Sequence, residues 1–124
     1  MGFAIEHFGA GILGTVFFDG TIDMQERFKA LDALENAIEA SSPEGLLIDL
    51  SQAALGHYGA NDALKLAERI SARERPLRKV AYVMRSYQSD MVATVMSGLH
   101  GPGTFRRFED RESALAWLKQ STGV

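Results

Sequence analysis

The amino-acid sequence predicts an α/β protein with an open sheet and the element order ββαβαβαβα, in which an N-terminal hairpin is followed by parallel strands and four helices. Two observations lead to this prediction. Residues 46–50 (LLIDL) and 80–84 (VAYVM) are short, nearly continuous apolar runs, as in strands that helices cover on both faces. Segments with one apolar stripe at helical spacing alternate with the strand patterns, and this alternation is typical of a parallel sheet.

The opening hairpin is predicted by residues 2–18. GFAIEHF alternates between two faces, with Phe3 and Ile5 on one of them, and ILGTVFFDG is rich in β-branched and aromatic residues. The stretch GAGILG (9–14) has the letters of a dinucleotide-binding loop. Such a loop must lead into a helix, whereas this one leads into a strand pattern, so we interpret it as the turn of the hairpin.

Four segments carry a single apolar stripe at helical spacing. The first covers residues 23–40, and Asp23 with Glu26 has the form of a capping box at its start. In the second helix Asn61 is the expected cap, and the third is predicted over about residues 87–99. After the short strand FRRF, Asp110 opens the fourth helix.

Composition and charge narrow the class of protein. A chain of 124 residues, 46% hydrophobic and 23% charged, predicts a single folded domain over residues 1–124. The net charge of −3 gives no basis for nucleic-acid binding. There is no cysteine, no signal-peptide pattern and no apolar run long enough to span a membrane, so we expect a cytoplasmic protein.

Catalysis and metal binding have little support in the sequence. Asp49, Ser51 and His57 supply the residue types of a nucleophilic triad, but they lie within nine positions, whereas triads normally gather residues from distant segments. His7, His57 and His100 have no ligand spacing. The prediction is therefore a protein without a catalytic site, a metal or a cofactor.

A basic segment precedes the strand at 80–84. ARERPLRK (72–79) contains four cationic residues, interrupted by Glu74 and Pro76. We interpret it as a solvated connection, with a contact to a small anionic partner as the alternative.

The chain resembles a known family in three segments. FRRFEDRESALAWL (105–118) is similar to the closing strand and helix of SpoIIAA-like proteins, which belong to the STAS superfamily of sulfate transporters and anti-sigma-factor antagonists. LLIDLSQAALG resembles their central strand, and RKVAYVM resembles the next one. The resemblance implies the SpoIIAA-like fold for nearly the whole chain.

The regulatory phosphorylation of that family does not carry over. In the antagonists, a strand ending near Asp is followed by an Asp-Ser-Ser-Gly motif, and a kinase phosphorylates its second Ser. Without gaps, this motif falls on residues 57–60 and places the phosphoacceptor at Gly59. No Ser or Thr occurs anywhere from 52 to 70, so the chain lacks a group for that electrostatic switch.

The candidate site is at the carboxyl ends of the two central strands, where ligands of open α/β sheets bind. The residues are Ser51, His57, Tyr58 and Asn61 after one strand and Arg85, Ser86 and Tyr87 after the next. The alternative is that these residues only cap helices and form turns.

Two functions are consistent with these residues. The first is a non-enzymatic regulatory or protein-interaction domain of the STAS type that binds a protein partner or itself as a homodimer. The second is a carrier or sensor of a small anionic or apolar ligand, since the general fold resembles that of Sec14-type lipid-binding domains. In that case, Phe, Met and Leu side chains of the hairpin and the third helix would open the pocket.

Overall fold

The computed structural model describes residues 2–9, 11–71 and 79–120, and within them five strands and four helices follow the predicted order. The elements are β1 (Gly2–His7), β2 (Ile12–Ile22), α1 (Met24–Ser41), β3 (Gly45–Leu55), α2 (Ala60–Ser71), β4 (Lys79–Val83), α3 (Met91–Leu99), β5 (Phe105–Phe108) and α4 (Arg111–Lys119). The predicted α/β class and the ββαβαβαβα order are confirmed. Arg73, Arg75 and Arg78 of the basic segment lie outside the described residues.

The strands form one sheet in the order β1-β2-β3-β4-β5. The first pair is the expected antiparallel hairpin, and the other three pairs are parallel. β3 pairs with β2 from Gly45 to Leu55, but with β4 only from Gly45 to Asp49. The C-terminal part of β3, residues 50–55, therefore projects beyond the end of β4.

Helices cover the sheet on both faces, and this explains the nearly continuous apolar runs of the central strands. Successive strand residues point to opposite faces, so that Leu46 and Ile48 pack in a larger core under α1, α2 and α3, whereas Leu47 packs in a smaller core under α4. Trp117 of α4 lies in the smaller core and is 5% exposed.

The turn of the hairpin requires its glycines. Gly9 and Gly11 have φ angles of 78° and 75°, in a region that favours glycine, and the chain then enters a strand. The Gly11 carbonyl accepts backbone N–H groups from Glu44 and Gly45, at the start of β3. The turn interpretation is confirmed, and a dinucleotide-binding strand–helix turn is absent from this position.

The predicted boundaries need three corrections. α3 begins at Met91 rather than at residue 87, because the Asp90 side chain caps it and Tyr87 lies in the preceding turn. Asn61 is not a cap, since α2 already begins at Ala60. The central strands differ as well: β3 continues five residues past 50, and β4 covers 79–83 rather than 80–84.

Candidate functional site

The loops that follow β3 and β4 emerge at the same edge of the sheet, as predicted. The turn after β4 is hydrogen-bonded to the projecting part of β3. Arg85 Nε donates to the Ser51 carbonyl over 3.2 Å, and Gln88 Nε2 donates to the carbonyls of Leu50 and Ala53 over 3.0 and 2.9 Å. Gln88 thus occupies part of the strand edge that β4 leaves free.

An open groove of about 540 Å³ lies between these two segments, and we call it the rim groove. Its lining residues are Ser51, Gln52, Ala53, Ala54, Leu55, Arg85, Tyr87, Gln88 and Ser89. Tyr87 is 80% exposed and presents its ring to solvent. The groove therefore combines a strand edge, amide and hydroxyl groups, and an aromatic side chain.

Two arginines give the rim groove a positive charge. Arg107 Nη2 of β5 donates to the carbonyls of Arg85 and Gln88, over 2.7 and 2.9 Å, so its guanidinium lies beside the turn. Both Arg85 and Arg107 are exposed, and among the described residues neither forms an ion pair with a carboxylate. Their two charges remain available to an anionic partner.

A second polar cluster lies inside the larger core. Arg27 of α1 forms a bidentate ion pair with Asp90, with N···O distances of 3.0 and 2.6 Å, and its Nη2 also donates to the Tyr82 hydroxyl over 3.0 Å. The Tyr58 hydroxyl donates to Asp90 Oδ1 over 2.6 Å and accepts the Met91 N–H over 2.7 Å. Tyr58 thereby links the loop after β3 to the first turn of α3.

The pKa shifts agree with a charged pair. Burial alone would raise the pKa of Asp90, but the hydrogen bonds and charge of Arg27 outweigh burial and hold that pKa below its usual value. Burial would likewise lower the pKa of Arg27, yet its contacts with Tyr82 and Asp90 raise it. Burial raises the pKa of both Tyr82 and Tyr58, so the two phenols stay neutral.

Three of the seven candidate residues meet in the rim groove: Ser51, Arg85 and Tyr87. Ser86 is exposed in the same turn. His57 is exposed in the loop before α2 and Asn61 in the first turn of α2, and neither is among the residues that line the groove. Tyr58 faces the buried ion pair instead. The interpretation of Asn61 as a helix cap is wrong; its assignment to a binding site stays a prediction.

Asp49 and Ser51 form a local structural contact. Ser51 donates to Asp49 Oδ1 through its backbone N–H and its hydroxyl, over 2.9 and 2.6 Å, as expected for a carboxylate that accepts amides at a strand end. Arg111 of α4 pairs with Asp49 Oδ2 from the other side over 3.0 Å. Because the serine hydroxyl bonds the carboxylate directly, no imidazole stands between them as a triad would require.

Sequence reasoning missed the polar residues that organise this end of the molecule, namely Arg27, Gln88, Asp90, Arg107 and Arg111. Of these residues, only Arg27 could have been identified from its sequence neighbourhood, because it lies on the apolar stripe of α1 between Met24 and Leu31. A charge on an apolar stripe indicates a buried partner. The described residues contain no cluster of three or more His, Cys, Asp or Glu side chains that could hold a metal ion.

The fold and the strand-end site define an open α/β domain with a hairpin at one edge. A sequence model of the SpoIIAA-like family matches residues 13–119, and the chain therefore belongs to the SpoIIAA-like family. A crystal structure of an uncharacterised protein of the DUF3478 family from Shewanella loihica PV-4, which has a SpoIIAA-like fold, is 24% identical with a TM-score of 0.56. The match covers 94% of this chain and 91% of that one, and it supports the fold.

A comparison with curated proteins found no match. In the part of the chain that the structure describes, no helix combines the length and apolarity needed to cross a membrane.

Proposed function

We propose that this chain is a non-enzymatic regulatory domain that binds an acidic segment of a protein partner in the rim groove. The observation that carries the proposal is that Arg85 and Arg107 are both hydrogen-bonded at the turn after β4, without a carboxylate partner among the described residues. Opposite charge across an interface fixes orientation and accelerates association.

The shape of the groove supports an extended partner. β3 presents an edge that β4 does not cover, and extended peptides bind proteins at such edges through their main chain. Gln88 donates to the carbonyls of Leu50 and Ala53 from this side, and main-chain N–H groups of a partner would take the place of its amide. Tyr87 adds an exposed aromatic ring, a residue type that contributes strongly at interfaces.

Control of this binding does not use the family's phosphorylated serine. Gly59 stands at that position, immediately before α2, and it has no side chain to modify. Tyr58, one residue earlier, is engaged with Asp90 and Met91.

The experiment is affinity capture from the extract of the source cells, with quantitative mass spectrometry, followed by titration of the captured partner's acidic segment. Arg85→Glu reverses one charge of the groove and should weaken the segment at least about tenfold, equivalent to about 1.4 kcal/mol. Lys65→Glu is the matched control, since Lys65 is an exposed cation on α2. Equal binding by wild type and Arg85→Glu would reject the groove as the site.

Self-association through the same face is tested separately. Light scattering of the wild type at several concentrations distinguishes a homodimer from a monomer. A dimer that Arg85→Glu dissociates would identify a second copy of the chain as the occupant of the groove.

A specific observation favours a second candidate function, binding of a small molecule. The larger core contains a cavity between α1, α2 and the sheet. The expected pocket lay between the hairpin and the third helix. This cavity has β2 of the hairpin in its wall, but none of its lining residues belongs to α3. Native mass spectrometry of freshly purified protein tests this candidate by the mass of a co-purifying ligand.

A further inference from the structure

We call the cavity in the larger core the inner cavity. The centre of a water-sized sphere can move within a volume of about 30 Å³ inside it. That is room for roughly two water molecules. The lining residues are Thr15, Phe17, Arg27, Ala30, Leu31, Leu34, Ile48, Leu66, Ile70 and Tyr82. Seven of these ten are apolar side chains without a polar atom, so the polar atoms of the wall are few and their partners can be traced.

Thr15 is the member of the wall that has no partner. Its residue is 2% exposed, and its hydroxyl oxygen makes no hydrogen bond within the described part of the chain. The other polar wall residues, Arg27 and Tyr82, bond to each other. A buried hydroxyl without a partner lowers stability, and valine would fill the same position on β2 without that loss. The hydroxyl is therefore available to a molecule in the cavity.

We propose that the inner cavity binds a neutral molecule of two or three non-hydrogen atoms, with an apolar group and one hydroxyl or carbonyl group that hydrogen-bonds to the Thr15 hydroxyl. This inference rests on the second candidate function and is independent of the rim groove. The ligand is neutral because the charge of Arg27 is already matched by Asp90. A carboxylate would leave one buried negative charge uncompensated, which is strongly unfavourable.

Under this proposal, the ligand would enter between α1 and α2. Leu31 and Leu34 on α1 and Ile70 on α2 line the cavity, and their sequence neighbours Asp32, Glu35 and Arg69 bridge the two helices on the outside. Arg69 Nη2 lies 2.8 Å from Asp32 Oδ1 and 2.6 Å from Glu35 Oε1. A partly exposed bridge of this kind opens at small cost, and its opening would admit a ligand.

The test measures binding of three probes, xenon, methanol and formate, by methyl NMR of residues that line the cavity, such as Leu31, Leu34 and Ile70. In the wild type, xenon and methanol should shift these methyl signals and formate should not. Thr15→Val keeps the shape of the side chain and removes the hydroxyl. It should weaken methanol binding about 5- to 10-fold and leave xenon binding unchanged, as expected for the loss of one hydrogen bond. Thr21→Val, an exposed position on the same strand, is the control and should leave both probes unaffected.

Each other outcome overturns a defined part of the proposal. If xenon binds but Thr15→Val does not weaken methanol binding, the cavity admits ligands but the assigned ligand class is wrong. If neither xenon nor methanol shifts the methyl signals, the inner cavity is not a binding site, and the second candidate function loses its basis. Ordered waters on Thr15 that methanol does not displace would likewise show a hydrated cavity only.

Discussion

Helix α1 contributes to a buried ion pair, Arg27–Asp90, and to an outer bridge, in which Asp32 and Glu35 pair with Arg69; the shortest N···O distances are the same but the surroundings are opposite. Arg27 and Asp90 approach to 2.6 Å with side chains that are 3% and 0% exposed. On the outer side of the helix, Glu35 approaches Arg69 to 2.6 Å with side chains that are 32% and 38% exposed. The N···O distance therefore does not show which of the two ion pairs contributes more to stability.

Exposure to solvent determines how much each ion pair contributes to the stability of the fold. Around Arg69, water solvates either ion when the other is removed, so the bridge is worth at most about 1 kcal/mol. Around Arg27, bulk solvent does not reach the remaining ion when the partner is lost, so that charge stays buried at a cost of roughly 3–5 kcal/mol. The buried pair is thus a requirement of the fold, whereas the outer bridge is free to open over the inner cavity.

The largest expected effect is that of Asp90→Asn. This change leaves the Arg27 guanidinium buried without an opposite charge and should lower the free energy of unfolding by roughly 3–5 kcal/mol, measured by urea denaturation. Asparagine caps helices as well as aspartate does. The loss of stability therefore measures the effect of the missing negative charge and not that of a missing cap on α3. Combining Asp90→Asn with Arg27→Met should recover part of the loss. A loss below about 1 kcal/mol would show that the pair is not effectively buried.

Acid should weaken the same pair without a mutation. The pKa of Asp90 is lowered in the folded protein from a usual value of 3.8, because Arg27 outweighs the effect of burial. Its contribution to stability is therefore fully present above about pH 4 and is lost as the pH falls through the lowered folded-state pKa. Unfolding measured from pH 6 downwards should show a shallower decline for Asp90→Asn than for wild type. Parallel profiles for the two proteins would contradict this assignment.

Removing the Tyr58 hydroxyl should have an intermediate effect. Tyr58→Phe takes away a hydrogen bond to the Asp90 carboxylate and the acceptor of the Met91 N–H, at a cost of about 1.5–3 kcal/mol. Amide hydrogen exchange should accelerate at Met91, where the loop after β3 joins α3. Tyr87→Phe, at a ring that is 80% exposed, serves as the control and should leave stability unchanged. If both variants behave alike, the Tyr58 contact does not stabilise the protein.

The smallest effect belongs to the outer bridge. Arg69→Gln should change the free energy of unfolding by less than about 1 kcal/mol, and salt should reduce even that difference. Thermal unfolding at low and high ionic strength measures it. A loss as large as that of Asp90→Asn would mean that the two pairs are not distinguished by solvent.

The fold follows from local patterns, but its boundaries depend on distant contacts. The runs at 46–50 and 80–84 predicted two adjacent buried strands, because helices on both faces require apolar residues at every position. Residues 51–55 (SQAAL) lack such a pattern, and they are in β3 because β2 pairs with them. The start of α3 at Met91 likewise depends on Asp90, which is held by a residue 63 positions earlier in the chain.

The candidate site was predicted in part for the same reason. Ser51, Arg85 and Tyr87 meet because parallel strands end at one edge, a rule that the sequence can use. His57 and Asn61 lie away from the groove, since the extra length of β3 carries the chain past it. Arg107 of β5 bonds two carbonyls of the turn beside the groove, and no residue spacing in the sequence predicts this contact.

The separation of Arg27 and Asp90 along the chain also has a consequence for synthesis on the ribosome. Helix α1 and its arginine are made long before residue 90 emerges. Until then, closing the first core would bury an uncompensated cation, so the nascent chain should keep α1 hydrated and postpone its docking onto the sheet. Completion of the fold thus waits for the late appearance of one carboxylate.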